Sequence, residues 1–248
     1  LPVGDSPPNV ILKVALTSTA RAALDNEASV LRALAQSPLA ELVPKLVGMT
    51  TSAGAKTLYQ EYRLLQSVVQ CRLDAAVVAF LGRLAYLDRK RVPLADWLKV
   101  LPSGSSADVS AKVDTACSAL CARLQDMGMS GVEIWLHRTH GDFAPWNCAW
   151  TDKGLFVFDW EESRGQDLAL GDAFYYVIAP ALYIQRTADP AKILVTCLRL
   201  AKRVAVASGI ELDGRVYLAL WLLSRVGCAA LYRNLIVLLE RSWREVED

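Results

Sequence analysis

The sequence lacks several features that would assign it to a particular class of protein. Only two of its 248 residues are histidine, and its six cysteines include no C-x-x-C pair, so a zinc cage is not expected. Its 27 basic and 26 acidic residues give a formal net charge of +1, which points to neither nucleic acid nor an anionic membrane as an obligatory partner. No apolar run reaches the roughly 18 residues that cross a bilayer. Signal peptide, internal repeat and low-complexity tract are also missing.

What the chain has instead is a high apolar content. Hydrophobic residues make up 53%, which predicts a globular protein with a sizeable core. The scattered cysteines are expected to be reduced, mostly buried thiols, as in a cytoplasmic protein. The chain begins at Leu1 without a methionine, so we expect its start to be processed, truncated or incomplete.

Short β-rich runs and one helical pattern predict a small α/β lobe over residues 1–65. In chain order the predicted elements are a strand, a helix and two strands at 9–15, 25–35, 43–49 and 56–62. We place the linker to the rest of the chain near residues 61–66, without a long flexible spacer.

Long helices predominate in residues 66–248. Two are predicted first, over 73–87 and 107–127, and a short β-hairpin follows at 147–159. Three or four further helices are predicted at 168–185, 189–208, 213–228 and 229–244. The predicted fold is therefore two-lobed α+β, with a small β-rich N-terminal lobe, a mainly helical C-terminal lobe and the site at their junction.

Residues 140–147, HGDFAPWN, carry most of the functional information. Phosphoryl transfer needs a carboxylate beside the attacking hydroxyl and oxygen ligands that hold Mg²⁺ against the nucleotide phosphates. Asp142 and Asn147 stand five residues apart in the H-x-D-x-x-x-x-N pattern, and Asp159 ends the apolar run 155–158 behind the hairpin. The spacing together with the later aspartate indicates three oxygen-bearing groups in one geometry.

Each residue alone has a plain structural interpretation as well. Asp142 could be a turn residue, Asn147 could cap the hairpin, and Lys13 could lie on a solvated strand face. Taken together with Asp159 in register, the set favours catalysis. His137 and His140 are three residues apart, but without further histidines they make a poor metal cage. We interpret His140 as a buried residue that orients the loop backbone.

These motifs resemble those of the aminoglycoside phosphotransferase/choline kinase-type family, small-molecule relatives of the protein kinases. HGDFAPWN is similar to the catalytic loop of that family, and VFDWE at 157–161 is similar to its metal-binding strand end. Lys13 and Glu27 resemble its lysine–glutamate pair. The resemblance implies a protein-kinase-like fold and transfer of the γ-phosphate of ATP or GTP to a hydroxyl of a small molecule.

The resemblance also implies a role for each matched residue. Asp142 would accept or orient the proton of the substrate hydroxyl, while Asn147 and Asp159 would bind Mg²⁺. Lys13 would contact the nucleotide phosphates, and Glu27 would hold Lys13 in place. The nucleotide would also be contacted by Gln60, Glu61 and Tyr62.

Two assignments stay open in the sequence. Asp172 resembles the aspartate that opens the helix after the metal-binding strand and braces the catalytic loop, but Asp167 competes for that role. Several aromatic residues could either line a substrate pocket or belong to the core. They are Trp160, Tyr175, Tyr176 and Tyr183.

Two departures from the family pattern bear on function. The Gly-rich phosphate loop expected before Lys13 does not fit into Leu1–Pro8. Either it lies upstream of Leu1, which we favour, or nucleotide is bound without that cover. Twelve residues separate Asp159 from Asp172, which leaves no long segment to seat a peptide and favours a small-molecule acceptor.

The acceptor could be a sugar, an amino sugar or aminoglycoside, or an amino alcohol such as choline. Residues 66–248 hold 21 basic and 21 acidic residues, so the charge balance of this region does not favour a polycationic aminoglycoside as the acceptor. We therefore favour a sugar or metabolite hydroxyl. The alternative is a catalytically silent kinase-like module that binds nucleotide or a partner, and a protein kinase is the least favoured. The sequence leaves the oligomeric state open.

Overall fold

The computed structural model describes residues 10–52, 54–61, 67–68, 74–99, 111–185, 188–211 and 213–245. The predictions made for Leu1–Pro8, for Tyr62 and for most of the linker at 61–66 lie outside the described residues. In the described part of the chain, no helix is both long and apolar enough to cross a membrane.

A three-stranded antiparallel sheet and one helix form the N-terminal part. Its elements are β1 Val10–Ala15, α1 Ser18–Leu34, β2 Leu46–Ser52 and β3 Ala55–Glu61, with sheet order β1-β3-β2. The predicted order of strand, helix and two strands is confirmed. The helix begins well before the predicted residue 25 because Thr17 caps it, accepting a hydrogen bond at 3.2 Å from the backbone N–H of Ala20.

Helices dominate the larger C-terminal part. They are α2 Ala75–Leu84, α3 Leu94–Leu98, α4 Ala111–Met129, α5 Gly171–Tyr183, α6 Pro190–Ser208, α7 Gly214–Leu223 and α8 Ala230–Arg244. All four helices predicted after the hairpin are present. The helix predicted over 213–228 ends early, at Leu223, because the chain turns through residues 224–228 before α8.

The hairpin prediction is confirmed, but four strands outside it were missed. The hairpin strands are β7 Cys148–Thr151 and β8 Gly154–Val157, and β4 Ser67–Val68 pairs with β7. A second antiparallel sheet consists of β5 Lys90–Pro93, β6 Glu133–Thr139 and β9 Arg164–Leu168, in the order β5-β6-β9. Strands β5 and β9 are short and polar, so their local pattern does not reveal pairing with the distant β6.

Two hydrophobic cores of unequal size support this fold. The N-terminal sheet packs on α1 through a small cluster of Ala15, Leu24, Ala28 and Leu58. The large core joins the C-terminal helices, the hairpin and the other end of α1, which contributes Leu31 and Leu34. Helix α1 therefore ties the small sheet to the large core. The α+β class with a small sheet-rich part and a larger helical part is confirmed.

Candidate active site

The catalytic-loop motif follows β6 directly and makes a sharp turn at Gly141. The φ angle of Gly141 is +87°, a left-handed conformation that L side chains rarely adopt. A Cβ atom at this position would lie 2.2 Å from the backbone oxygen of Glu162. Glycine is therefore required here both for the backbone angle and for the close approach of the 162 segment.

The buried ring of His140 fixes the loop to the strand that precedes Asp159. Its Nε2–H donates to the carbonyl of Phe158 at 3.0 Å, and its Nδ1 accepts from the N–H of Asp142 at 3.3 Å. Burial lowers the pKa of His140 to about 4, so the ring is neutral near pH 7. These contacts use both ring nitrogens and leave none for a metal.

Asp172 rather than Asp167 contacts the catalytic loop. The Asp172 carboxylate accepts from the backbone N–H of His140 at 2.7 Å and of Gly141 at 3.1 Å. Asp167 instead accepts from the N–H of Leu168 and lies 3.5 Å from Arg164. Burial raises the pKa of Asp172 to about 7, although both backbone donors favour the ionised form.

Asp142 and Asn147 are brought into direct contact. The side-chain amide of Asn147 donates to the Asp142 carboxylate at 2.8 Å and to the Asp142 backbone oxygen at 2.9 Å. The backbone oxygen of Asn147 accepts from the N–H of Phe158 at 3.0 Å. Phe158 thus links the Asp142–Asn147 pair to the neighbouring Asp159.

Lys13 joins the small sheet to the strand end at Asp159. Its ammonium group donates to both Glu27 oxygens, at 2.7 and 2.9 Å, and to Asp159 Oδ1 at 2.5 Å. Burial lowers the pKa of Lys13, but the two carboxylates outweigh that effect and raise it above the usual value. Lys13 is therefore charged at neutral pH and bridges two anions across the cleft.

Glu27 is fully buried and has three kinds of donor. Besides Lys13, it accepts from the Gln60 side chain at 2.9 Å and from the backbone N–H of Trp160 at 3.3 Å. The Gln60 side chain is thus engaged with Glu27. Its partners satisfy a charge that would otherwise be expensive to bury.

The residues present fit a divalent cation with hard oxygen ligands. Glu27, Asp159 and Glu161 each have a carboxylate oxygen within 4.8 Å of the others. Burial, and next the Asp159 carboxylate, raise the pKa of Glu161, as expected for neighbouring anions. Carboxylate and amide oxygens are the ligands that Mg²⁺ prefers. Sequence reasoning assigned no role to Glu161, although its two-residue spacing from Asp159 was a usable signal.

A cavity of about 310 Å³ opens beside Lys13. Its walls come from both parts of the molecule and include Ile11, Pro44, Gln60, Glu61, Phe156 and Phe158, with Lys13 and Asp159 at one side. The mostly apolar wall is suited to a flat heterocyclic ring, and the charged groups are suited to phosphates and their counterion. The apolar wall residues were missed because nothing in their local pattern separates a cleft wall from a core.

The four aromatic residues left open by the sequence divide into two groups. Trp160 and Tyr176 belong to the core. Tyr175 is half-buried beside Asp142, and Tyr183 is exposed and packs against Trp146, a residue that sequence reasoning had not singled out.

Solved structures of several small-molecule kinases share this fold. The aminoglycoside phosphotransferase APH(2'')-IIia, solved with GDP and kanamycin, is 12% identical with a TM-score of 0.54, and the match covers 96% of this chain and 87% of that one. APH(3'')-Id from Streptomyces rimosus, solved with ADP and streptomycin, is 16% identical with a TM-score of 0.50 and 87% coverage of both chains. A glucosamine kinase, solved with glucosamine, ADP and inorganic phosphate, is 14% identical with a TM-score of 0.50, covering 96% of this chain and 76% of that one. These likenesses confirm the kinase-like fold.

No curated protein matches the sequence. The profile of the phosphotransferase enzyme family, APH, does match it over residues 3–175, more than two thirds of the chain. The matched region includes the small sheet, the catalytic-loop motif and the strand end at Asp159. The match confirms the resemblance drawn from the motifs and the expected enzyme class, a small-molecule kinase. The chain therefore belongs to the phosphotransferase enzyme family.

Proposed function

We propose that this protein transfers the γ-phosphate of ATP or GTP to a hydroxyl of a small molecule, in the class of sugars, amino sugars or aminoglycosides, and amino alcohols. The observation that carries the proposal is the Asp142–Asn147 pair, linked through Phe158 to an Asp159 whose carboxylate is bridged by Lys13 to Glu27. This arrangement supplies a carboxylate, oxygen ligands and a cation within one cleft.

Asp142 is the proposed catalytic residue. Its carboxylate receives the proton of the acceptor hydroxyl while the acceptor oxygen bonds to the γ-phosphorus and the bond to the bridging oxygen of the nucleotide breaks. The hydrogen bond from Asn147 and the one between the Asp142 N–H and His140 hold this carboxylate in place. A preset carboxylate supports catalysis because the barrier then includes little reorganisation.

Lys13 is the proposed phosphate-binding cation, and Glu27 its positioning partner. When nucleotide binds, the ammonium group can donate to phosphate oxygens in place of Asp159 while it remains attached to Glu27. Asn147 and Asp159 would hold Mg²⁺ through their side-chain oxygens. Bound Mg²⁺ would neutralise charge on the phosphate oxygens. The base would occupy the cavity beside Gln60 and Glu61.

A small acceptor is favoured over a peptide. Between Asp159 and Asp172 the chain forms only the turn at 161–163, strand β9 and the start of α5. These residues are fixed to the second sheet and offer no extended platform for a polypeptide. The cytoplasmic location expected from the cysteine content stays a prediction.

The test measures nucleotide consumption against a panel of hydroxyl acceptors, comparing the wild type with Asp142→Ala and Asp152→Ala. Asp152 is a matched control because it is an exposed aspartate in the β7–β8 turn. We expect acceptor phosphorylation in the wild type and Asp152→Ala, and a loss of about 1,000-fold in Asp142→Ala. Unchanged turnover in Asp142→Ala would remove Asp142 as the catalytic residue. Mg²⁺-dependent nucleotide binding without any phosphorylated product would favour the silent module instead.

A further inference from the structure

One face of helix α5 lies along the whole catalytic loop. Asp172, Tyr175, Tyr176 and Tyr183 are spaced so that they project from the same side of the helix. Asp172 binds the start of the loop, and Tyr176 packs on Phe143 with ring centroids 5.4 Å apart. Tyr175 and Tyr183 lie on the same side of the helix, toward Asp142 and Trp146.

Tyr175 contacts the proposed catalytic carboxylate. It lines a small polar cavity of about 40 Å³ together with Gly141 and Asp172, which places it directly against the loop. Its side chain interacts with the Asp142 carboxylate and with Tyr183. Burial first, and then the Asp142 carboxylate, raise the pKa of Tyr175, so the hydroxyl stays protonated at neutral pH and is a donor available to Asp142.

Trp146 and Tyr183 extend this contact to the protein surface. Their ring centroids are 5.9 Å apart with an interplanar angle of 78°. Trp146 is 38% exposed and Tyr183 is 63% exposed. Trp146 lies in the turn Pro145–Asn147, directly before Asn147 in the chain. Tyr175, Tyr183 and Trp146 form what we call the aromatic strip.

We propose that the aromatic strip is the acceptor subsite, and that it selects an uncharged ring compound, such as a sugar or cyclitol, whose apolar C–H face packs on one of the nearly perpendicular rings of Trp146 and Tyr183 while its edge meets the other. This inference rests on the proposed phosphotransferase function. Aromatic side chains bury a large apolar area and still present a polar tip, which suits a ring that is apolar on its face and hydroxylated at its edge. The three residues of the strip carry no charge, so the packing that they offer does not require a charged acceptor.

The geometry also explains how a hydroxyl would reach Asp142. A ring held between Trp146 and Tyr183 would lie next to Tyr175, whose side chain interacts with both Tyr183 and Asp142. One edge hydroxyl would then face the carboxylate while the apolar face stays on one aromatic ring. Trp146 and Tyr183 are thus specificity-determining residues, and Tyr175 is a positioning residue for Asp142.

The experiment compares Tyr183→Ala, Trp146→Ala and Tyr175→Phe with the wild type on a panel of neutral monosaccharides and cyclitols, amino alcohols and polycationic aminoglycosides. Tyr86→Ala is the matched control, since Tyr86 is an exposed tyrosine (58%) that lies outside the strip. We expect phosphorylation of a neutral ring acceptor, with KM raised 10-fold or more in Tyr183→Ala and Trp146→Ala and unchanged in Tyr86→Ala. Tyr175→Phe is expected to lower kcat 5-fold or more with little change in KM.

The outcomes separate this inference from the proposed function. Phosphorylation of the amino alcohols or aminoglycosides alone, or an unchanged KM in both Tyr183→Ala and Trp146→Ala, overturns the aromatic acceptor subsite while the phosphotransferase activity stands. Absence of product from every acceptor in the wild type, with nucleotide bound, counts against the phosphotransferase activity and therefore against the subsite too. Nucleotide affinity, measured by titration calorimetry, is the folding check for each variant.

Discussion

The catalytic loop and the small N-terminal sheet are held in place by different means. The loop is embedded in the large core, where Phe143 stacks on Phe80 at 5.8 Å and the His140 ring lies 4.6 Å from that of Trp160. The sheet rests on a cluster of four apolar residues, while Leu12 and Val14 on β1 are more than half exposed. The carboxylate proposed to be catalytic, that of Asp142, is thus preset by packing.

The lysine of the sheet is positioned mainly by polar contacts that cross to the other part of the molecule. Lys13 binds Asp159, and the Asn26 side chain donates to the backbone oxygens of Glu161 and Ser163 at 2.7 and 3.0 Å. Polar contacts of this kind exchange readily with a ligand, whereas core packing does not. Substitutions in the loop should therefore change folding, and substitutions at the lysine should change nucleotide binding.

The largest loss of stability is expected for Gly141→Ala, which changes the position of the catalytic loop where the backbone is most constrained. Because alanine disfavours the left-handed angle and its Cβ meets the oxygen of Glu162, the free energy of unfolding should fall by about 4 kcal/mol. Gly131→Ala is the matched control, with φ +77° and no atom within 4 Å of the added Cβ. Its loss should be about 1 kcal/mol, set by the backbone angle alone. Equal losses in urea denaturation would show that the loop is not tightly enclosed.

Asp172→Ala should come next. It leaves the buried N–H of His140 and the part-buried N–H of Gly141 without their acceptor, so the free energy of unfolding should fall by about 3 kcal/mol. Asp167→Ala, five residues earlier and on the partly exposed ion pair with Arg164, should cost less than about 1 kcal/mol. If Asp167→Ala were as destabilising as Asp172→Ala, the loop would not owe its position to Asp172.

The sequence predicted much of this fold where the signal is local. The helices α5, α6 and α8 appear in their periodicity, and the catalytic loop appears in the spacing of Asp142 and Asn147. The sheet β5-β6-β9 was not predicted, because β5 and β9 are polar strands whose partner, β6, lies more than 20 residues away in sequence. Spacing alone also could not separate Asp167 from Asp172, since both precede or open the same helix.

Parts of the site were equally invisible to pattern reasoning. The requirement for glycine at 141 arises from the backbone of Glu162, a contact between distant segments. The sequence does not show that Trp146 packs against Tyr183. In each case the missing information is which segment packs on which, and that is decided by tertiary structure rather than by local preference.

Lys13→Met tests the N-terminal sheet, whose lysine is held by polar contacts and is expected to bind nucleotide. Removing the ammonium group should raise the Kd for nucleotide about 30-fold, or about 2 kcal/mol, because a charged hydrogen bond to the phosphates is lost. Lys56→Met is the matched control, since Lys56 on β3 pairs with Asp25 rather than with Glu27 or Asp159. Titration calorimetry measures both. A Kd unchanged by Lys13→Met would mean that Lys13 only joins the two parts of the protein.

The smallest predicted effect concerns His137, on the buried strand that leads into the loop. Burial lowers its pKa to about 4, and its Nε2 has no hydrogen-bond partner among the described residues. The unfolded chain, with a pKa near 6.5, therefore binds more protons than the folded protein between these values. The stability that depends on neutral His137 is fully present above about pH 6.5 and is lost as the pH falls toward 4. From pH 7.5 to 5.5 this residue should remove about 1.4 kcal/mol of unfolding free energy.

The measurement for His137 compares urea unfolding of the wild type and His137→Leu across that pH range. His140 and Asp172 also titrate there, in opposite directions, but they are present in both proteins and cancel in the difference. The wild type should lose more stability on acidification than the variant. Parallel curves would mean that His137 does not change its proton affinity on folding, and that the strand supporting the catalytic loop is less closely packed than the large core around it. The contrast between a catalytic loop held by packing and an N-terminal sheet held by polar contacts would then be weaker, because the strand below the loop would itself be loosely packed.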